Sequence, residues 1–213
     1  MNRRAMDPKS QLPARLTRSL ILLAGAAMLS LSACSGGASS EAPPLEGAAI
    51  GGDFTLVDKT GKTVHAADFA GRYRAIYFGY TFCPDVCPTD VQRLMLGFHR
   101  FGKANPKLAG KVAPIFVSID PERDTPQVVG QFAAHFGPEL TGLTGSAQQV
   151  AQVAKSYAVY YKKGETTAPN VYFMDHSSAA YLMGPDGKPI ALLPIDVDDQ
   201  GKSVAAELAK WVN

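Results

Sequence analysis

The residues best placed to do chemistry are two thiols. Cys83 and Cys87 stand four positions apart in Thr81-Phe82-Cys83-Pro84-Asp85-Val86-Cys87-Pro88. If the chain between them turns like a helix, their Cβ atoms share one face about 5–6 Å apart. A disulfide prefers about 3.5–4.5 Å, so a small adjustment closes one. The same adjustment lets two thiolates converge on a single soft metal ion. The spacing therefore points to a dithiolate that either binds metal or oxidises. A plain stabilising disulfide between Cys83 and Cys87 is the competing reading, although so short a loop gains little, because the entropic benefit grows with loop length. Upstream, Ala75-Ile76-Tyr77-Phe78 is the end of a buried strand that breaks at Gly79. Pro88 is expected to open a helix, where its missing amide costs nothing. Cys87 then lies beside a helix N-terminus, whose dipole favours a thiolate, and the thiols are expected to be acidic.

The rest of the chain must position this loop. Phe54-Thr55-Leu56-Val57 and the segment around Thr63-Val64 flank Asp58-Lys59-Thr60-Gly61-Lys62 as a hairpin. After Pro88, Val91, Leu94, Met95, Phe98 and Phe101 recur at helical spacing, with His99 bordering the stripe. The run from Val112 to Ile119 is apolar throughout, as in a central parallel strand. It leads into Asp120-Pro121-Glu122-Arg123-Asp124-Thr125, and Pro126 opens a second helix carrying Val128, Val129, Phe132 and Phe136 beside a surface His135. Leu140 to Leu143 reads as a short strand, and Ala147 to Tyr157 as a third helix. Val171-Tyr172-Phe173-Met174 precedes Asp175-His176-Ser177-Ser178. Then Ala179 to Met183 and Ile190 to Leu193 form an antiparallel hairpin around Gly184-Pro185-Asp186-Gly187-Lys188, before a final helix from Ser203 to Val212. This order is that of an α/β, thioredoxin-like fold, with a central mixed sheet flanked by helices, right-handed crossovers and an N-terminal β-hairpin extension. In such a fold the loop after the first central strand faces the entry to the late hairpin, which brings His176 toward Cys83 and Cys87.

Ahead of the domain the composition changes. Arg3, Arg4, Lys9, Arg15 and Arg18 precede an apolar run from Leu20 to Leu31, which ends in Leu31-Ser32-Ala33-Cys34. That is a secretory signal pattern, and the run falls short of the about 20 apolar residues a membrane span needs. Leu-Ser-Ala-Cys resembles the bacterial lipobox, so residues 1–33 are read as a lipoprotein-type signal peptide and Cys34 as its lipidation site, against an uncleaved anchor. Residues 34–49 have tether composition, with an r.m.s. reach of roughly 20 Å. The domain is expected over residues 50–213, exported and lipid-anchored to a bacterial membrane, in the periplasm or on the extracytoplasmic face. The formal net charge of +2 includes the basic leader, so the domain is near neutral and offers no nucleic-acid footprint.

Three stretches together carry a family resemblance: Thr81 to Pro88, Ser118 to Thr125, and Asp175-His176-Ser177 with Tyr181-Leu182-Met183-Gly184-Pro185-Asp186-Gly187. They resemble the Sco/SenC proteins, which assist assembly of the copper centre of cytochrome c oxidase. The resemblance implies that Cys83, Cys87 and His176 bind one copper ion per monomer. It also implies an apo copper-site subunit of the oxidase as partner, together with an upstream copper donor or a thiol reductant. Two thiolates and one imidazole suit Cu(I); Cu(II) would want a further ligand that the sequence does not identify. By itself, a histidine in a serine-rich loop is usually polar surface. Asp175 is a candidate to orient His176, and Asp120, at a strand end, to tune the cysteine loop. Members of that family are commonly held by a transmembrane helix, which this chain replaces with a lipobox.

Two other activities fit the thiols. One is a thiol–disulfide oxidoreductase cycling Cys83 and Cys87, acting on cysteines of the apo-oxidase or of other exported proteins. The other is a peroxiredoxin-like peroxidase, which needs an activated thiolate in a peroxide-binding pocket, commonly with an arginine, for which Arg123 is the candidate.

Overall fold

Seven consecutive residues, Tyr73–Gly79, are buried without the in-and-out alternation of a half-exposed strand, and Val112–Ser118 repeats the pattern. Such strands must be covered on both faces. In the structure, a computed structural model describing residues 41–168 and 171–213, they lie side by side at the centre of a five-stranded sheet. The strands in chain order are β1 (Thr55–Val57), β2 (Thr63–His65), β3 (Tyr73–Gly79), β4 (Val112–Ser118), β5 (Thr141–Leu143), β6 (Tyr161–Lys163), β7 (Met174–His176), β8 (Ala180–Met183) and β9 (Pro189–Leu193). The α-helices are α1 (Val86–Ala104), the single-turn α2 (Pro106–Ala109), α3 (Pro126–Ala134), α4 (Ala147–Ser156) and α5 (Lys202–Trp211).

The central sheet has the order β5-β4-β3-β8-β9. β3 pairs parallel with β4 and antiparallel with β8, so the sheet is mixed as expected. β1 and β2 form the separate N-terminal hairpin, its turn closed by Asp58, whose Oδ1 accepts from the amides of Thr60 and Lys62. This is the thioredoxin-like α/β arrangement. Helix starts follow their caps: Thr125 Oγ1 accepts the Val128 amide ahead of α3, and Ser146 with Gln149 makes a reciprocal capping box ahead of α4. On α1 the predicted stripe Val91, Leu94, Met95, Phe98 and Phe101 is buried in the core.

Three differences from the sequence reading matter. First, α1 begins at Val86, two residues before Pro88, so Cys87 lies inside the first turn; Pro88 is still tolerated there because no amide of that turn has an intrahelical acceptor. Second, His176 is on a strand and not in a loop. β7 pairs antiparallel with β6, placing His176 opposite Tyr161, in a two-stranded sheet too short to give a recognisable pattern. Of the stretch from Val171 to Met174, only Met174 joins β7. Third, the compact unit starts at Ala42. Leu45 donates its amide to the Ile190 carbonyl at 3.0 Å, so part of the stretch read as tether is held against β9. The leader, Cys34 and the first tether residues lie outside the described residues. Among the described residues no helix is long and apolar enough to cross a membrane.

Candidate metal and thiol site

The site forms where β3 ends. A Cβ on Gly79 would stand 2.8 Å from Tyr77 Cε1 and 3.2 Å from Cys87 Sγ, so only glycine lets the first turn of α1 settle against the strand. Cys87 is consequently fully buried, with its Sγ 3.2 Å from His176 Nε2. The ring is oriented by its other nitrogen: Nδ1 lies 2.9 Å from the Ser177 carbonyl, which can only accept, so Nδ1 carries the proton. In the neutral ring Nε2 then presents its lone pair to the Cys87 thiol, the orientation a metal-binding histidine needs. Tyr77 and Tyr80 wall the imidazole at right angles, with ring centroids 6.4 and 5.9 Å away. Cys83, half-buried, accepts the Cys87 amide at 3.3 Å. Both cysteines are free thiols.

Their acidities are split. Burial dominates at Cys87 and pushes its thiol well above the ordinary value, with the neighbouring Cys83 adding to the rise. At Cys83 burial also pushes upward, but hydrogen bonds from the amides of Cys87 and Asp85, and from the Cys87 and Tyr80 side chains, together outweigh it and leave the thiol below the ordinary value. The expectation of an acidic Cys87 is therefore corrected. The helix N-terminus delivers its amides to Cys83, whereas Cys87 is desolvated. Brief alkylation with iodoacetamide at pH 7.5, followed by peptide mass spectrometry, is expected to label Cys83 at least about tenfold faster than Cys87. Equal rates, or Cys87 first, would refute this division.

Among the described residues, no three His, Cys, Asp or Glu side chains already form a closed metal cage. The structure brings Cys83 and His176 each against Cys87, without gathering the three around a common point. Asp175 is exposed on β7 between buried Met174 and half-buried His176, in register with Lys162. Strand alternation puts it on the face away from His176, so it does not orient the ring. Asp120 acts at one remove. Its carboxylate takes Arg123 Nε at 2.6 Å and the Tyr172 hydroxyl at 2.8 Å. Arg123 in turn donates Nη1 to the Tyr172 carbonyl at 2.9 Å and lies over the rings of Tyr172, at 3.5 Å, and Phe82, at 4.9 Å. One guanidinium thus joins the cysteine loop, through Phe82, to the segment leading into β7 and His176. These contacts commit Arg123 to Asp120, Tyr172 and Phe82 and give no support to its reading as a peroxidase arginine.

Two further carboxylates escaped the sequence reading. Asp124, fully buried, accepts the Thr81 amide at 3.0 Å, the Thr81 hydroxyl at 2.6 Å and the Ser118 hydroxyl at 2.5 Å, pinning the cysteine loop to the end of β4. Asp90, buried on α1, accepts the Tyr77 hydroxyl at 3.1 Å and the Ser178 hydroxyl, which ties the residues after His176 to the helix that bears Cys87. The available signal for Asp90 was an acidic residue in phase with the apolar stripe of Leu94 and Phe101.

Known proteins share this fold. The SCO1/SenC family model matches residues 42–213. The mitochondrial SCO2 homolog of Bos taurus is 45% identical over 144 residues, covering 67% of this chain and 53% of the relative. This chain thus spans about half the length of that relative. ScoI of Bradyrhizobium japonicum, solved with copper bound, is 39% identical with a TM-score of 0.68, covering 76% of this chain and 99% of the other. BsSco, described as a member of the Sco family of cytochrome c oxidase assembly proteins with a disulfide switch, is 25% identical with a TM-score of 0.56, covering 74% and 90%. With a family model spanning the whole compact unit and the same fold in copper-bound ScoI, the chain belongs to the SCO1/SenC family.

Proposed function

We propose that this protein is a copper metallochaperone that holds one copper ion through Cys83, Cys87 and His176 and hands it to the apo copper-site subunit of cytochrome c oxidase. The observation that carries this is the 3.2 Å approach of the Cys87 thiol to a histidine nitrogen whose lone pair is already aimed at it, beside a second, acidic thiol. Two sulfurs and one imidazole are a donor set for Cu(I), and three ligands leave an edge open for exchange with an acceptor. The copper-bound state of ScoI and the assembly role given to the family of BsSco support the same cargo and the same destination. Copper would displace the proton of Cys87, so binding releases a proton and strengthens as pH rises. Lipidation at Cys34, export, and residence of the domain on the outer face of a bacterial membrane complete the reading; an upstream protein supplies copper or reduces the thiols.

The test is a Cu(I) competition titration of the reduced full chain. One tightly held ion per chain, with thiolate-to-copper charge-transfer bands on Cu(II) addition, is the expected result; no tight binding would sink the proposal. Arg123→Lys keeps the charge but loses the planar fork and the stack, and is expected to weaken Cu(I) binding by about 10–100-fold. An affinity unchanged in that variant would show that the link between Phe82 and Tyr172 does not shape the site.

A second reading has its own observation, the split acidity of the thiols. Cys83 is the accessible nucleophile and Cys87 the buried resolving thiol of a thiol–disulfide oxidoreductase. The dithiol would pass two electrons and two protons to a partner disulfide and become the Cys83–Cys87 disulfide. His176→Ala separates the two readings, because it would spare disulfide exchange while impairing copper binding.

A further inference from the structure

Arg74 lies on β3 about 17 Å from Gly79 along the strand, at the end away from the thiols. It is only 5% exposed, and among the described residues its guanidinium makes no hydrogen bond or ion pair; its Nε is wholly buried and unsatisfied. The side chain instead lines a cavity of about 170 Å³ with Gly52, Asp53, Ala66, Pro185 and Gly187. Gly187 packs directly against the guanidinium: it sits at φ +83°, and a Cβ there would meet Arg74 Nη2 at 2.6 Å. A second buried donor on this side of the sheet, the Tyr157 hydroxyl, also lacks a partner. Burial pushes that phenol upward, and the charge of Arg74 pulls against the push.

An unpaired buried guanidinium is costly, and a cavity left open beside it calls for an anionic acceptor. Two carboxylates also line the space. Asp186 is already engaged by the Lys188 amide at 3.1 Å and its ammonium at 3.2 Å. Asp53, at the exposed mouth, has no such partner among the described residues and would repel a fully ionised anion while accepting a hydrogen bond from one that keeps a proton. We propose that this cavity is a second ligand site, in which Arg74 donates to, and Asp53 accepts from, a small protonated oxyanion of the hydrogen phosphate class. This site is independent of the copper reading.

The experiment is scanning calorimetry of the full chain in inorganic phosphate, in sulfate and in chloride at matched ionic strength, with a direct phosphate titration by isothermal calorimetry. At a hundredfold excess over the dissociation constant, phosphate is expected to raise the unfolding midpoint by about 5–10 °C. Sulfate, which has no proton to give Asp53, should do much less. Arg74→Leu, which exchanges a buried unpaired charge for apolar volume, should fold and lose the phosphate response. Should that variant fail to fold, Asp53→Asn decides: phosphate is expected to lose its advantage over sulfate. No phosphate effect on the unmodified chain, or an equal effect in Arg74→Leu, overturns the proposal. So does an Asp53→Asn variant that loses stability in chloride while phosphate stays inert, since that would make Asp53 the direct ion-pair partner of Arg74.

Discussion

Replacing Cys87 by alanine is expected to lower Cu(I) affinity by on the order of a hundred- to a thousandfold. A four-ligand soft site binds with about 10–16 kcal/mol, so each ligand accounts for roughly 2.5–4 kcal/mol. Cys83→Ala and His176→Ala should fall in the same range, above the effect expected at Arg123, which acts only through the rings it holds. The measurement is competition against a chromophoric Cu(I) chelator, with circular dichroism to establish that each variant is folded. A Cys87 variant that keeps full affinity would remove the thiol–imidazole pair from the site. The same titration should show a pH signature. Cys87 is raised above its ordinary value, so its protonated form is the one the apo fold favours, and copper must displace that proton. Affinity should therefore climb with pH through the neutral range. In the apo protein, the contribution of Cys87 to stability is complete below the ordinary thiol value of 9.0 and is lost as the pH rises further.

Asp124→Ala is the substitution expected to damage the fold most. It would leave the Thr81 amide, the Thr81 hydroxyl and the Ser118 hydroxyl without their acceptor at a fully buried position. Orphaning a buried hydrogen-bonded charge network costs about 3–5 kcal/mol, or roughly 6–20 °C in the unfolding midpoint of a domain of this size. Asp124→Asn should be far milder. Burial raises the Asp124 carboxyl above 3.8 against the pull of its three hydrogen bonds, with Asp120 adding to the rise. A raised acid favours folding in its neutral form, and that contribution disappears as pH climbs through the folded-state value. An amide resembles this neutral form and can still accept from the Thr81 amide. Thermal unfolding at pH 7 decides the matter: an alanine variant within about 1 kcal/mol of the parent, or an asparagine variant as weak as the alanine one, would contradict the account. Because Asp124 fastens the loop that precedes Cys83, its loss should also blunt copper binding.

Much of this molecule is written locally. The buried strands β3 and β4 announce themselves because strands covered on both faces need apolar residues at every position. α1 does so because its core stripe repeats at helical spacing. The starts of α3 and α4 follow from Thr125, Pro126 and Ser146, whose side chains or missing amide act within one turn. The cysteine loop is equally local, being a strand end, a glycine and two thiols at one helical step. The pairing of Cys87 with His176 is not, since 89 positions separate them and only the order of the elements and the family likeness, not spacing, pointed to it.

What tertiary structure alone decided concerns burial and the partners it brings. The dipole argument for Cys87 was sound within its own helix turn, but desolvation by the packed sheet overrides it and leaves Cys83 as the acidic thiol. Asp120 read as a strand-end residue and Arg123 as a candidate thiolate partner until Tyr172 and Phe82 close around the guanidinium. β6 and β7, three residues each, carry no period that could reveal them, yet they present the imidazole to the thiol. The sequence by itself determined the central strands, the two hairpins and the longer helices, because those choices rest on hydrogen bonds and side-chain spacing within a few residues. The acidities, the orientation of His176 and the isolation of Arg74 were decided by the tertiary structure, because desolvation and long-range hydrogen bonds depend on segments that meet only in the fold.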